Sequence, residues 1–209
     1  MILKKVYKDQ YQPKQEPMII EIPKINYLTV KGKGNPNSEQ GDYAKAVELL
    51  YGVAYTLKMS EKGEYKIPNF ETYVVPPLEG FWWIEGLKGV DYDRYDEFQF
   101  ISLLRLPDFI RKEDVSWAIE TINKKKKTKD YEKVQFFTYD ERLCVQMLHV
   151  GPYQDEPKTV EIMHVYLKDK GYQVDISDER YHHEIYISDP RKTDSVSLKT
   201  VLRHPIKKN

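Results

Sequence analysis

The sequence predicts an α+β chain in which a strand-helix-strand-strand module occurs twice, with an antiparallel sheet and a central ligand cleft. Three observations carry this. Runs of β-branched and aromatic residues end at Gly, Pro and Asn clusters, as strands do. Two of these runs are followed by apolar residues at helical spacing. The order of elements from Tyr27 to Val53 is repeated from Leu143 to Val165.

Residues 1–17 are polar, carry Pro13 and Lys14, and read as a loosely held N-terminal lead-in. Strand-like runs follow at Met18–Ile22 and Ile25–Val30, interrupted by Pro23. Lys31–Ser38 is turn chemistry throughout. Tyr43, Ala44, Val47, Leu50, Tyr51, Ala54 and Leu57 then form a helical stripe opened by Gly41-Asp42 and ended by Lys62-Gly63. Thr72–Val75 and Gly80–Ile84 read as strands around the Pro76-Pro77 turn. A connector rich in Asp and Tyr, Gly89–Glu97, leads to a strand at Phe98–Leu106. A second helix is expected from about Arg111, burying Val115, Ala118, Ile119 and Ile122. It runs into Lys124–Lys127, where cations complement the helix dipole.

The second half opens with a strand at Leu143–Val150 and a Gly151-Pro152-Tyr153 turn. The helix opened by Asp155-Glu156-Pro157 turns Val160, Met163, His164 and Leu167 inward and is closed by Lys170-Gly171. Tyr172–Ile176 and the stretch around Glu184 read as the final strands. Residues 18–209 are thus expected to be one domain of two pseudo-symmetric halves, about 18–128 and 129–209, with a cleft where they meet.

Composition narrows the function. Basic and acidic residues balance, 33 against 33, so no global field favours nucleic acid or an anionic membrane. The lone Cys144 lies in an apolar run, which points to a reducing compartment without a disulfide framework. Met1–Lys5 is not followed by the apolar run of a signal peptide, and no segment approaches the roughly 20 apolar residues that span a bilayer. A cytoplasmic protein is expected. The 17 Tyr, with 7 Phe and 3 Trp, suit either a thick core or a pocket for a flat hydrophobic ligand.

The stretch Tyr181–Pro190 carries the chemistry. Read as a strand, it puts His182, Glu184 and Tyr186 on one face and His183, Ile185 and Ile187 on the other. The isoleucine face requires a core. A carboxylate between an imidazole and a phenol is either a site or a solvent-facing strand surface. Consecutive His residues on a strand cannot both point at one ion, and no His-x-x-x-His spacing supports them, so no metal and no cofactor is expected. His149 and His164 read as satisfied structural residues. Gly32-x-Gly34 lacks the ending of a phosphate-binding loop, and the lysine run lacks interleaved aromatics and reads as a solvated face.

The segments Tyr27–Pro36, Gly80–Trp83, Leu143–Tyr153 and His182–Arg191 together resemble the GyrI-like small-molecule-binding family, in its stand-alone branch, over nearly the whole chain from Met18. The resemblance implies the duplicated module and its cleft. It also implies a pocket acid among aromatics, matched here by Glu184, that attracts cationic aromatic drugs or, in some stand-alone members, serves the hydrolysis of cyclopropane-bearing DNA-alkylating toxins. No recognition-helix pattern accompanies it, so no direct nucleic-acid partner is expected. On this reading the partner is a small hydrophobic aromatic ligand. Glu184 is the candidate general base, and Tyr153 or Tyr186 the hydrogen-bond donor. Trp82, Trp83 and Tyr51 are candidate stacking walls, with His182 beside them. Trp82 and Trp83 point to opposite strand faces, and Tyr51 sits on a helical stripe, so some of these belong to core or rim. A hydrolase and a non-catalytic binder or sensor both fit these residues.

Overall fold

A computed structural model describes residues 1–87 and 89–209. The strands are β1 (Met18–Lys33), β2 (Leu78–Ile84), β3 (Phe98–Arg105), β4 (Gln135–Val150), β5 (Tyr172–Val174), β6 (His182–Tyr186) and β7 (Lys199–Lys208). The α-helices are α1 (Leu3–Val6), α2 (Lys8–Tyr11), α3 (Asp42–Lys58), α4 (Lys112–Lys126) and α5 (Glu156–Asp169). All strand pairings are antiparallel, in the order β4-β1-β3-β2-β6-β7-β5, and a β4–β7 pairing closes the sheet into a barrel. The order is symmetric about the β2–β6 ladder: β1-β3-β2 on one side mirrors β4-β7-β6 on the other. The predicted α+β architecture with a duplicated module is therefore present.

β1 and β4 are both 16 residues long and pair along most of their length. Ile22 pairs with Arg142 and Lys24 with Asp140, so Pro23 faces Glu141 at an irregularity where Arg142 adopts φ 60°. A proline tolerates such a position because it has no N–H to lose from the ladder. The inward phase changes here: Tyr139 and Glu141 point inward before Arg142, Cys144 and Gln146 after it. The expected break at Pro23 is thus a change of face within one continuous strand.

Helices cover the outside of the barrel. α3 and α4 pack Leu50, Val53, Leu57, Val115 and Ala118 against Leu28, Phe100 and Leu104, and α5 packs Met163 and Leu167 against Val145, Met147 and Leu202. The buried stripe of α3 is Ala46, Leu49, Leu50, Val53, Ala54 and Leu57, rotated slightly from the predicted one. α4 begins as expected, its first turn closed by Asp114, whose carboxylate accepts the Arg111 backbone N–H at 2.7 Å. Lys124–Lys127 are exposed.

The barrel interior is ionic. His183 Nδ1 meets Glu141 Oε1 at 2.9 Å and its Nε2 meets Glu79 Oε2 at 3.0 Å, while Arg203 bonds Glu141 Oε2 at 3.0 Å. Burial opposes the charge on His183, but Glu141 and Glu79 outweigh it and hold the imidazole above its ordinary value. Burial likewise opposes the Glu141 carboxylate, yet His183 and Arg203 hold it down at about 2. His183 pins β6 from within, which fixes what the strand presents outside.

Four expectations are corrected. Thr72–Val75 is extended chain outside the sheet, because Pro76 and Pro77 deny the ladder its donors. β4 begins at Gln135, eight positions before the predicted start at Leu143; its first half carries Phe136, Phe137 and Tyr139 but runs into the charged Asp140, Glu141 and Arg142. The stretch around Glu184 is not the last strand: β7 follows it despite Pro205 and its lysines. Residues 1–17 are not loosely held. Leu3 and Tyr11 are buried, and Tyr11 donates to Glu79 Oε1 at 2.9 Å across one end of the barrel.

Candidate functional site

On the outer face of the β2–β6 ladder, between α3 and α5, the sequence-predicted face of β6 is buried rather than solvent-facing: Glu184 is 6% exposed and His182 2%. The strand alternation that aims His183 at the barrel interior aims His182, Glu184 and Tyr186 into this seam. Glu184 Oε2 accepts the Tyr186 hydroxyl at 2.8 Å, and the Tyr186 oxygen accepts the Trp82 indole N–H at 2.8 Å. Glu184 Oε1 meets His182 Nε2 at 2.9 Å and the Tyr92 hydroxyl at 3.3 Å. Burial, then the charge of Glu184, keeps the Tyr186 phenol far above its ordinary value, so it remains a neutral donor.

A second carboxyl completes the cluster. Glu156, at the start of α5, is fully buried and contacts the Tyr92 hydroxyl through Oε2, while its Oε1 has no hydrogen-bond partner among the described residues. Burial and the neighbouring Glu184 raise its pKa well above the carboxylate range. Protonated Glu156 can donate to the Tyr92 oxygen and leave the Tyr92 hydrogen for Glu184. Glu156, His182 and Glu184 each bring one ligand atom within 4.8 Å of the others, a spacing that admits a cation. In this arrangement protons join them: His182 Nε2 is bonded to Glu184 itself, and Tyr92 bridges the carboxyls.

Aromatics frame the seam. Tyr43 of α3 packs on Trp82 with ring centroids 5.2 Å apart, and Tyr153 meets Tyr186 edge-on at 6.0 Å. Tyr92 and Tyr95 pack on Phe98 beside them. Two adjoining cavities of about 520 and 450 Å³ share Gly89, Val90, Tyr92 and Pro157; the second reaches His182, His204 and His164. Such volumes are those of small-molecule sites. Tyr92 stands between these cavities and Glu184.

Among the nominated residues, Glu184, Tyr186, His182, Trp82 and Tyr153 come together. Trp83 faces the other way, packing on Tyr181 at 5.2 Å under the Lys31 ammonium. Tyr51 is half-buried, pairs with Tyr55 at 6.3 Å and, among the described residues, takes no part in the hydrogen bonds around Glu184. His149 is a satisfied structural imidazole, bonded to Thr159 at 2.9 Å and to the Pro152 carbonyl at 3.0 Å. His164 is exposed on one side, while its Nε2 reaches inward to His204 Nδ1 at 3.0 Å. Sequence reasoning missed Glu156, Tyr92, Tyr43 and His204. Glu156 had an adequate reason as a helix opener, and Tyr43 as a stripe residue; His204 lay on the strand that was overlooked. The Tyr-rich connector was the available signal for Tyr92.

The fold and site define a small-molecule-binding barrel with an acidic, aromatic seam. The profile of the GyrI-like small molecule binding domain matches residues 15–207, and the chain belongs to that family. A solved Listeria innocua protein described as a hydrolase is similar at 42% identity, over 99% of this chain and 100% of its own, with a TM-score of 0.90. Another Listeria innocua protein, described as an uncharacterized conserved protein, shares 44% identity over 99% and 100% of the two chains, with a TM-score of 0.93. The EcmrR C-terminal domain shares the fold at 14% identity, over 93% and 98%, with a TM-score of 0.57. No curated protein matches the chain. Among the described residues no helix is long and apolar enough to cross a membrane.

Proposed function

We propose that this protein is a cytoplasmic hydrolase of planar, hydrophobic, cyclopropane-bearing genotoxins, with residues 18–209 acting as one ligand-binding domain of two halves. The observation that carries the reading is Glu184, held between the Tyr186 hydroxyl and His182 Nε2 beneath an aromatic seam. Two solved Listeria innocua structures similar at 42% identity, both described as of a hydrolase, support an enzyme.

The ligand displaces Tyr92 and lies against Trp82 and Tyr43. Glu184 takes a proton from a water whose oxygen bonds to the strained cyclopropane carbon. The carbon–carbon bond breaks, and its electrons pass through the conjugated system to the carbonyl oxygen. That oxygen takes a proton from a phenol, Tyr153 or Tyr186, both of which burial keeps protonated. The proton on Glu184 then restores the phenol through the hydrogen-bonded cluster, so the sum is addition of one water. General-base catalysis of this kind is worth about 10²–10⁴-fold.

A second reading is non-catalytic binding of an aromatic cation, favoured by the same buried carboxylate with Trp82 and Tyr43 beside it. One experiment separates them. A cyclopropanoid alkylator is followed by chromatography with wild type and with Glu184→Gln, each checked for folding. Multiple turnovers to a ring-opened, hydrated product that fall at least 100-fold in the variant are expected. Stoichiometric binding without product in wild type overturns the hydrolase and leaves the binder.

A further inference from the structure

Three imidazoles run in file from the surface to Glu184. His164 of α5 is exposed, and its Nε2 lies 3.0 Å from His204 Nδ1 on β7. His204 Nε2 lies 2.6 Å from His182 Nδ1 on β6, and His182 Nε2 lies 2.9 Å from Glu184 Oε1. His204 and His182 are 3% and 2% exposed, and each spends both ring nitrogens on this file. A structural imidazole such as His149 ends on a hydroxyl and a carbonyl, neither of which passes a proton on to a carboxylate. This file is continuous, and its first ring stands in solvent.

We propose that His164, His204 and His182 form a proton relay that connects solvent to Glu184. The inference rests on Glu184 being the working carboxylate of the seam, but not on hydrolysis. With Glu184 ionised and all three rings neutral, every ring carries its proton on Nε2 and donates toward Glu184. A proton taken from solvent at His164 Nδ1 releases the His164 Nε2 proton to His204 Nδ1. The His204 Nε2 proton passes to His182 Nδ1, and the His182 Nε2 proton passes to Glu184. One proton has entered, Glu184 is neutral, and all three rings now hold their proton on Nδ1. The reverse passage delivers the Glu184 proton to solvent and restores the starting tautomers. The carboxylate is charged and discharged without water entering the seam.

The surroundings favour neutral rings at His204 and His164, which this exchange requires because a doubly protonated ring donates on both sides and blocks it. Burial, then repulsion from any proton charge shared with the neighbouring His182 and His164, holds His204 well below the ordinary imidazole value. Burial and His182 hold His164 below it too. The charged groups near the outer end are Glu161 and Lys168 of α5, which line the same cavity as His164. At the inner end Glu184 faces Tyr186 of β6, Tyr92 of the connector and Glu156 of α5. β4 places the apolar Val145 opposite His204.

The test uses the full chain labelled with nitrogen-15, without ligand. Ring nitrogen shifts report the tautomer of each imidazole, and exchange spectroscopy reports how fast the ring protons of His182 and His204 trade with water. The relay predicts one common tautomer along the file at neutral pH. It also predicts exchange slowed at least tenfold by His164→Gln, and restored by millimolar imidazole in His164→Ala. His164 is exposed, so an unchanged backbone spectrum is expected of both variants and checks their fold. Opposed tautomers on His182 and His204, or exchange rates untouched by either variant, overturn the relay. Turnover is read separately: slowed exchange in a protein that never hydrolyses the alkylator keeps the relay and removes the hydrolase, and the converse result does the opposite.

Discussion

Gly80 and Glu184 are paired across the β2–β6 ladder, and the missing side chain at Gly80 is what lets the Glu184 cluster close. A Cβ at Gly80 would stand 2.5 Å from the Trp82 indole nitrogen and 3.2 Å from the Tyr186 hydroxyl. These two groups form the hydrogen bond that holds Tyr186 on Glu184. Gly80→Ala is therefore expected to cost about 1–3 kcal/mol, the usual penalty for forcing atoms into a filled space. Urea unfolding measures the loss, and near-ultraviolet circular dichroism detects the displaced indole. Wild-type stability in the variant would mean that Trp82 has room to move.

Tyr186→Phe tests the same cluster from its centre. The substitution leaves the buried Trp82 N–H without an acceptor and takes a donor from Glu184. A buried polar group left unpaired costs about 1–3 kcal/mol. The loss is not additive with Trp82→Phe, because once the indole N–H is gone one of the two penalties disappears. A double-mutant cycle by chemical denaturation, with a coupling of about 1 kcal/mol or more, is the expected outcome. Simple additivity would show that the two groups do not meet.

The alternation along Tyr181–Tyr186 was legible because a strand has a two-residue period, and it separated Glu184 from His183 without any knowledge of the fold. Trp82 was likewise separable from Trp83 on parity, though not which of the two joined the site. The covering of that face was not legible. Whether it meets water or α5 depends on the closure of β4 on β7, and β7 is a strand whose Pro205 and lysines mask its period. His204 was lost with it. Glu156 shows a different limit. An acidic first turn is ordinary helix chemistry, and only the tertiary contact with Tyr92 and Glu184 turns it into a second carboxyl of the site. The ionic barrel interior escaped for the same reason, since Glu79, Glu141 and Arg203 come from three separate strands and read singly as surface charges.

Glu156 sets a pH dependence with a definite sign. Its folded-state pKa is raised, so the folded protein holds this proton more tightly than the unfolded chain does. Stability is undiminished below the unfolded value, near 4.5, and declines as pH rises from there toward the raised folded value. Glu156→Gln removes the titration while keeping the shape of the protonated group. The variant is expected to gain on wild type as pH increases from about 5 to 8, seen as a widening difference in thermal midpoint. A difference that stays constant over that range would show that Glu156 is already ionised in the folded protein.

His183 gives the opposite construction inside the barrel, where an imidazole is fixed between Glu141 and Glu79 with no access to water. Its pKa is raised above the unfolded 6.5, so its stabilisation is complete below that value and is lost as pH climbs through the folded one. Glu141 works at the other limit, contributing above the unfolded 4.5 and fading as pH falls toward about 2. His183→Gln deprives both carboxylates of their shared cation, and breaking a buried charge arrangement by removing one partner costs about 3–5 kcal/mol. That cost is greatest near pH 6, where the wild-type ring is charged, and shrinks toward pH 9 as it loses its proton. Chemical denaturation of wild type and variant at the two pH values measures it. Because His183 anchors β6 between Glu184 and His182, the same substitution is expected to loosen the seam at both pH values, read as faster amide exchange along His182–Tyr186. Unchanged protection of those amides would show that the ladder with β2 and β7 suffices to hold the site.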